Sequence, residues 1–528
     1  MKKLLILILI CVSGYADSFS WTQVLPNVSS ATSRPFVSQF SDGSAVAIWT
    51  ESSSLVLKGA YFNPATKAWG TAVTITTSTG EISDYSIKTN DSDFALGVWL
   101  QTSLLGNPGE AWGVQYTKST NTWTTISAIF SADSGTPYEQ PSVNFTGNNL
   151  ALFSATNDFI PESLVFWENF KFYNYSSRTL LSNRVLDTLH NQFNSKTIGK
   201  TGTSQAISVS IQCDVNDNTN YKIGAALVTS QTTVNSITTI SAVGVDNAIA
   251  EAVGSNLNGQ AVVAWVQGGT VYTSYLTSFA SNTWSSPVTL NSASSVTTSP
   301  LCAMDNSGNA VVAWLATSSG TSVVQAAFFS AATNTWSSTT NVSLLTSSAT
   351  GPSVAASPSG LFGFTWTQGG QLLSRFYQAG TWMPALTSAG TQIPGSTSGT
   401  LSNVTLCDAI PVRGVCVWQG SSVDSAYLIY LTLLSPTGQQ VLFRYPVQGD
   451  LVNQLRWSPN PNGVTYQVYR NDLTQLIAET TQTYYDDHQR QPNQTVTYYI
   501  RSISPSGIDN GDLASVTVPP IHFSHPKQ

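Results

Sequence analysis

The sequence predicts an all-β chain, an eight-bladed β-propeller followed by a small β-sandwich, and three observations predict it. A phrase of small apolar residues closed by Trp recurs about every fifty residues. No helical 3.6-residue period runs through the repeat. Beyond the last copy the pattern changes to separate short strands that alternate with period two, within about 80 residues.

The clearest copies are Ala45-Val46-Ala47-Ile48-Trp49, Ala95-Leu96-Gly97-Val98-Trp99, Ala261-Val262-Val263-Ala264-Trp265 and Ala310-Val311-Val312-Ala313-Trp314, with looser ones ending at Trp366 and Trp418. A fixed period of this length marks a repeat architecture. The gap between Trp99 and Trp265 holds two degenerate copies, Leu150-Ala151-Leu152-Phe153 and Ala206-Ile207-Ser208-Val209-Ser210, which gives eight units, or seven if the unit around Ala206 is not a blade. Each full unit reads as four strands. From Thr298 to Ser338 these are a Pro-containing segment, a turn at Asp305–Asn309, the Trp-closed strand, a third strand at Val323–Phe329, and the turn Asn334-Thr335-Trp336 into a fourth. The Trp-closed strand is apolar at successive positions, which implies burial on both faces, as when propeller blades pack face to face.

The fourth-strand Trp recurs as Trp69, Trp123, Trp284, Trp336 and Trp382 but is missing after Trp418. Phe19-Ser20-Trp21-Thr22-Gln23-Val24 resembles that missing piece and is expected to complete the last blade, removing a free sheet edge. The propeller then covers 17–437. Before it, Lys2-Lys3, an apolar run from Leu4 to Val12 and the small residues of Gly14-Tyr15-Ala16 read as a removable signal peptide over 1–16. Cys11 follows Ile10, where a lipid-anchored leader would carry a small residue. No later stretch is long and apolar enough to cross a membrane.

Charged residues are 9% of the chain and the net charge is −7, without a Lys/Arg cluster, which argues against nucleic acid as a partner. A surface of Ser, Thr, Asn and Gln resembles that of secreted bacterial β-proteins, so the chain is expected to be secreted or at the cell surface, the periplasm included. Of the cysteines past the leader, Cys407 and Cys416 flank a hairpin turn and are the candidate disulfide, and the alternative is buried thiols at Cys213, Cys302, Cys407 and Cys416. None has metal-ligand spacing, and no metal or cofactor is expected.

The C-terminal strands Leu451–Trp457, Tyr466-Gln467-Val468-Tyr469-Arg470 and Val496–Ile503 alternate with period two. Leu455-Arg456-Trp457-Ser458 and Tyr498 resemble the early Trp strand and the tyrosine corner of a fibronectin type III domain, and Ser504-Pro505-Ser506-Gly507 its last hairpin turn. The resemblance covers 440–519, leaves 520–528 as a tail, and implies a spacer or adhesive module.

Chemistry is sparse. Only His190 of the four histidines lies in the propeller, and no nucleophile elbow accompanies it, so no catalytic residue is assigned. The turns Ser330–Trp336 and Ser278–Trp284 resemble the sialidase turn Ser-x-Asp-x-Gly-x-Thr-Trp but run one residue short and lack its Asp and Gly. A glycosidase would need two facing carboxyl groups, for which Glu51, Glu110, Glu139, Glu162, Glu168 and Glu251 are candidates. Just past the Trp-closed strands a polar residue recurs as Glu51, Gln101, Gln267, Gln368 and Gln419. These are either ligand groups around the axis or hairpin residues with a capping amide. The third unit adds an irregular loop with Glu162, and Trp167 as an aromatic platform. The reading is therefore a binding or adhesion protein whose propeller recognises a glycan or an extracellular protein. A sialidase-like extracellular glycoside hydrolase is the alternative.

Overall fold

The computed structural model describes residues 19–521 except 24–27, 30–34, 52–53, 67, 91, 103–108, 132–137, 148, 161–164, 182–183, 186–189, 215–216, 230–236, 242–247, 292–295, 297, 319, 379, 384–385, 388, 393–398, 409–411, 421–422, 432–436, 445–448, 458–464, 473 and 504–513. The leader expected at 1–16, the Ser504–Gly507 turn, Glu162, His522 and His525 lie outside the described residues. Within them the elements are strands, and no helix is long and apolar enough to cross a membrane. One compact unit spans Trp21–Ile429, and a second takes in Phe19 and Ser20 together with the residues from Tyr430 onward.

Among the described residues the first unit carries eight sheets, each built on four antiparallel strands side by side, and in six of them a further short strand also pairs with the third. The sixth is typical, with Leu301–Met304, Ala310–Ser318, Thr321–Ser330 and Thr335–Trp336. Asn121, Asn282 and Asn334 hold φ of 49°, 49° and 53° in the turn before the fourth-strand Trp, a left-handed conformation that Asn tolerates. The weakest repeat, around Ala206, also forms a full sheet, from His190–Gly199, Gln205–Asp214, Asp217–Thr229 and Thr238–Thr239. In the eighth sheet Phe19–Gln23 pairs with Val423–Leu431 as the fourth strand, so the N-terminal segment closes the array as expected.

Each first strand lies beside the first strands of the sheets before and after it, and Gly399–Leu406 of the eighth returns to Phe36–Gln39 of the first. Gln39, Asn144, Gly199, Ser255, Met304, Ala356 and Leu406, from seven different sheets, line one axial cavity of about 190 Å3. This is a β-propeller. The Trp-closed strands are buried along their length, Ala261–Gln267 at every position, because each face meets a neighbouring sheet. The hydrophobic core therefore sits at the seams, where Val46 and Ile48 of the first sheet meet Ile87, Trp99 and Tyr116 of the second.

The register corrects one expectation. Cys416 stands opposite Val404, while the last pair before the turn is Leu406 with Gly414. Cys407 and Cys416 are thus offset by three residues along the hairpin, farther than the roughly 7 Å between Cα atoms that a disulfide spans. Elsewhere burial pushes the Cys302 thiol up to about 12, as suits a buried thiol acting as a small hydrophobe.

The second unit has two sheets. Thr437–Arg444, Gly449–Arg456 and Tyr484–Asp487 form one, and Leu476–Thr480, Thr465–Arg470, Val496–Ile503 and Ala514–Val518, in that order, form the other. Leu455, Trp457, Tyr466, Val468, Tyr498 and Ile500 fill its core. The fully buried Tyr498 hydroxyl donates to Asp487 Oδ2 at 2.5 Å and accepts from Asn453 Nδ2 at 2.9 Å, which satisfies a polar tip that burial would otherwise penalise.

Candidate functional site

The recurring polar residues are built into the scaffold. In a strand, residues two apart share a face. The Trp49 indole N–H donates to Glu51 Oε1 at 3.1 Å, Trp99 to Gln101 at 3.4 Å, Trp265 to Gln267 at 3.3 Å and Trp366 to Gln368 at 3.1 Å. A buried indole needs an acceptor, and the side chain two residues on supplies it. Gln267 and Gln368 are 5% and 6% exposed, and Gln368 also donates to the Leu344 and Ser347 carbonyls at 2.7 and 2.6 Å. The structure thus places Glu51, Gln101, Gln267 and Gln368 in four separate sheets, each on its own Trp, and does not gather them around a ligand. Gln419 follows Trp418 by one residue instead of two, and its side chain, like that of Trp167, lies outside the described residues. Trp167 belongs to the Val165–Asn174 strand, opposite Asn157.

Opposite these Trp positions the first strand shifts register, between Ser83 and Ser86, Ile249 and Glu251, Thr350 and Ser353, and Leu401 and Asn403. The third and fourth sheets keep the bulge but not the Trp, carrying Ala155 and Ser210 in its place. Gln212 bonds Ser210 Oγ at 3.1 Å there, the same two-residue pairing with a hydroxyl instead of an indole.

Around these two sheets sits a buried polar cluster. Glu168, 0% exposed, accepts from Ser208 Oγ at 2.8 and 3.0 Å, and its backbone N–H donates to Gln192 Oε1 at 3.0 Å. Lys196 Nζ donates to Asn194 Oδ1 at 2.8 Å. Both carboxyl oxygens of Glu251, 3% exposed, lack a hydrogen bond among the described residues, although Asn194 and Lys196 lie near enough to favour its charge. Burial pushes both carboxyl groups up to about 8, against the opposing pull of Ser195 and Ser208 on Glu168 and of Lys196 on Glu251. The same desolvation lowers the Lys196 pKa. The cluster can hold protons on two carboxyl groups near neutral pH. The sequence named both glutamates but not Ser208, Gln192 or Lys196; the signal was the missing Trp in exactly these two repeats.

A third arrangement lies on the seams. A groove of about 780 Å3 between the sixth and seventh sheets is lined by Phe328, Phe329, Trp336, Phe362 and Tyr377, with Ser330, Thr335 and Gln378 among its polar residues. Phe328 and Tyr377 stack across it at 4.0 Å between centroids. One repeat earlier, Tyr275 and Phe329 meet at 4.8 Å beside a groove of about 310 Å3 between the fifth and sixth sheets, lined also by Thr277 and Asn334. The registers make these equivalent, since Tyr275 and Phe328 pair with Val262 and Val311, and Phe329 and Tyr377 with Ala310 and Phe362. Half-buried rings beside hydroxyls and amides can stack on a ligand and hydrogen-bond its polar edge.

No protein-family model matches the chain, and no characterised protein matches its sequence. Solved structures resemble it at low identity. The Dos1 propeller is 8% identical over 77% of this chain and 95% of its own, with a TM-score of 0.44. The β-propeller domain of the Trilobed protease from Pyrococcus furiosus, described as having an open velcro topology, is 6% identical over 67% and 100%, with a TM-score of 0.40. The Penicillium chrysogenum alpha-L-arabinanase complexed with arabinobiose is 11% identical over 56% and 94%, with a TM-score of 0.38.

Proposed function

We propose that this chain is a secreted or surface-associated binding protein. In this reading residues 1–16 are removed, 17–437 form an eight-bladed propeller that recognises a glycan, and 440–519 form a fibronectin type III-like module that positions it. The observation that carries the reading is the pair of repeat-related seam grooves, in which aromatic rings and hydroxyl or amide groups recur one unit apart. Repeated sites suit multivalent ligands, because a second contact on the same chain of sugars becomes intramolecular. The decisive experiment is a glycan array probed with the mature protein, residues 17–528. Saturable binding supports the proposal; a folded protein that binds no glycan sinks it and turns the search to extracellular protein partners.

A second reading, an extracellular glycoside hydrolase, is favoured by one observation, the two carboxyl groups of Glu168 and Glu251 held largely protonated near neutral pH. Their near-complete burial weighs against it, since a sugar would have to reach them through the packed seams of the third to fifth sheets. Turnover of oligosaccharides that is abolished in both Glu168→Gln and Glu251→Gln would establish it.

A further inference from the structure

Resting on the glycan-binding reading, we infer that the groove between the sixth and seventh sheets takes an uncharged saccharide, one ring lying against Trp336 and Tyr377, and discriminates against acidic sugars. Among the residues lining it, Asp305 is the one charged side chain, and its carboxylate is already committed. Oδ1 accepts from the backbone N–H of Ser307 at 2.9 Å and of Asn309 at 2.8 Å, and Oδ2 accepts from Asn309 Nδ2 at 2.9 Å. Among the described residues no Lys or Arg lines the groove, so a carboxylate or sulfate on the ligand would lose hydration without a counter-charge and lie near a fixed negative one. An uncharged ring faces no such penalty. Its apolar face can cover the half-buried rings of Trp336 and Tyr377 while its hydroxyls reach Ser330, Thr335 and Gln378.

The groove between the fifth and sixth sheets repeats the arrangement on a smaller scale. Among the described residues it carries no charged side chain, and it shares Phe329 with its neighbour, so the two lie one repeat apart along a common wall. Its Gln260 amide is occupied, accepting from Asn256 Nδ2 at 2.7 Å, and its smaller volume leaves room for less of the ligand. The sixth–seventh groove is therefore the stronger of the two.

Calorimetric titration of the mature protein with matched neutral and acidic oligosaccharides tests this, alongside Trp336→Ala and Gln378→Lys. Wild type is expected to bind neutral ligands and to bind acidic ones at least about tenfold more weakly. Trp336→Ala is expected to weaken neutral binding about tenfold or more. Gln378→Lys, a half-buried rim position whose substitution leaves the core intact, is expected to strengthen acidic binding about tenfold. Acidic ligands bound as tightly as neutral ones by wild type overturn the inference while leaving glycan binding standing. Neutral binding unchanged in Trp336→Ala together with acidic binding unchanged in Gln378→Lys places the ligand elsewhere and overturns it too. Failure of the wild type to bind either class overturns the glycan-binding reading and this inference with it.

Discussion

The carboxyl group of Glu168 illustrates how one missing side chain reorganises its surroundings. Where other repeats bury an indole, the third and fourth sheets carry Ala155 and Ser210, and the buried Glu168 and Glu251, with the half-buried Lys196, sit around those sheets instead. Burial raises the folded-state pKa of Glu168 to about 8 from an ordinary 4.5, so the folded chain binds the proton more tightly than the unfolded one. Between pH 4.5 and 8 the folded state therefore holds more protons, and stability falls as pH rises through that window. Glu251 acts in the same direction. Lys196, with its pKa lowered, acts in the opposite one, adding stability as pH rises from its folded value towards 10.5. Glu168→Gln keeps the partner of Ser208 and removes one titration. We expect its thermal midpoint to match wild type near pH 5 and to exceed it by several degrees near pH 8.5, as read by scanning calorimetry at both pH values. A wild-type advantage at pH 8.5 would mean that the ionised carboxylate is stabilised by Lys196 and not penalised by burial.

At the scale of strands and turns, the sequence made legible whatever had to recur. The doubly buried second strand demands an apolar run, and the turn before the fourth strand demands a positive φ, met by Asn121, Asn282 and Asn334 though by Arg178 and Gly380 elsewhere, so both were visible as repeats. The cross-seam pairs were not. Tyr61–Tyr116, Tyr275–Phe329 and Phe328–Tyr377 pack ring on ring at equivalent positions, and the second-to-third seam replaces the pair with a hydrogen bond from the Tyr173 hydroxyl to Gln115 Oε1 at 2.8 Å. Each pair joins residues about fifty or more apart whose chemistry varies, so no local pattern announces them. The indole-to-amide pairs escaped for the opposite reason. Their two-residue spacing was plain, but a recurring Gln is equally consistent with a ligand contact and with an internal acceptor, and only the geometry assigns it. The turn between first and second strands gives a sharper test. Gly360 holds φ at +92° with its Cβ position 2.9 Å from Asp305 Oδ2 of the previous sheet, whereas Gly269, in the turn between the second and third strands of the fifth sheet, holds φ at +74° with open space around it. Gly269→Ala is expected to cost about 1 kcal/mol from backbone strain alone. Gly360→Ala adds a clash at the seam, so it is expected to cost about 2–3 kcal/mol. Urea unfolding of both variants checks the order, and equal costs would show that the Asp305 side chain yields freely.

For the whole first unit, stability depends on how the ring closes. Seam hydrogen bonds bridge neighbouring sheets in turn, as from Asn144 Nδ2 to the Thr197 carbonyl at 2.7 Å and from Asn256 Nδ2 to the Asp305 carbonyl at 2.9 Å. The seam between the last sheet and the first has its own, from Thr405 Oγ1 to Gln39 Oε1 at 3.4 Å. The eighth sheet draws its fourth strand, Phe19–Gln23, from the opposite end of the chain from its other three. That strand both ties the ends of the array together and covers the backbone edge of Val423–Leu431, which would otherwise be open to pairing with another chain. Removing residues 17–23 from the mature protein should therefore have two separable effects. Loss of the ladder bonds of a five-residue strand is expected to lower unfolding free energy by roughly 2–5 kcal/mol, at about 0.5–1.5 kcal/mol per bond. Exposure of the edge is expected to produce concentration-dependent association, seen by light scattering after size exclusion. A peptide carrying residues 17–24, added in excess, should reverse the association by refilling the edge. A shortened chain that stays monomeric and melts with the full-length protein would show that the seams alone hold the ring and that the N-terminal strand is dispensable.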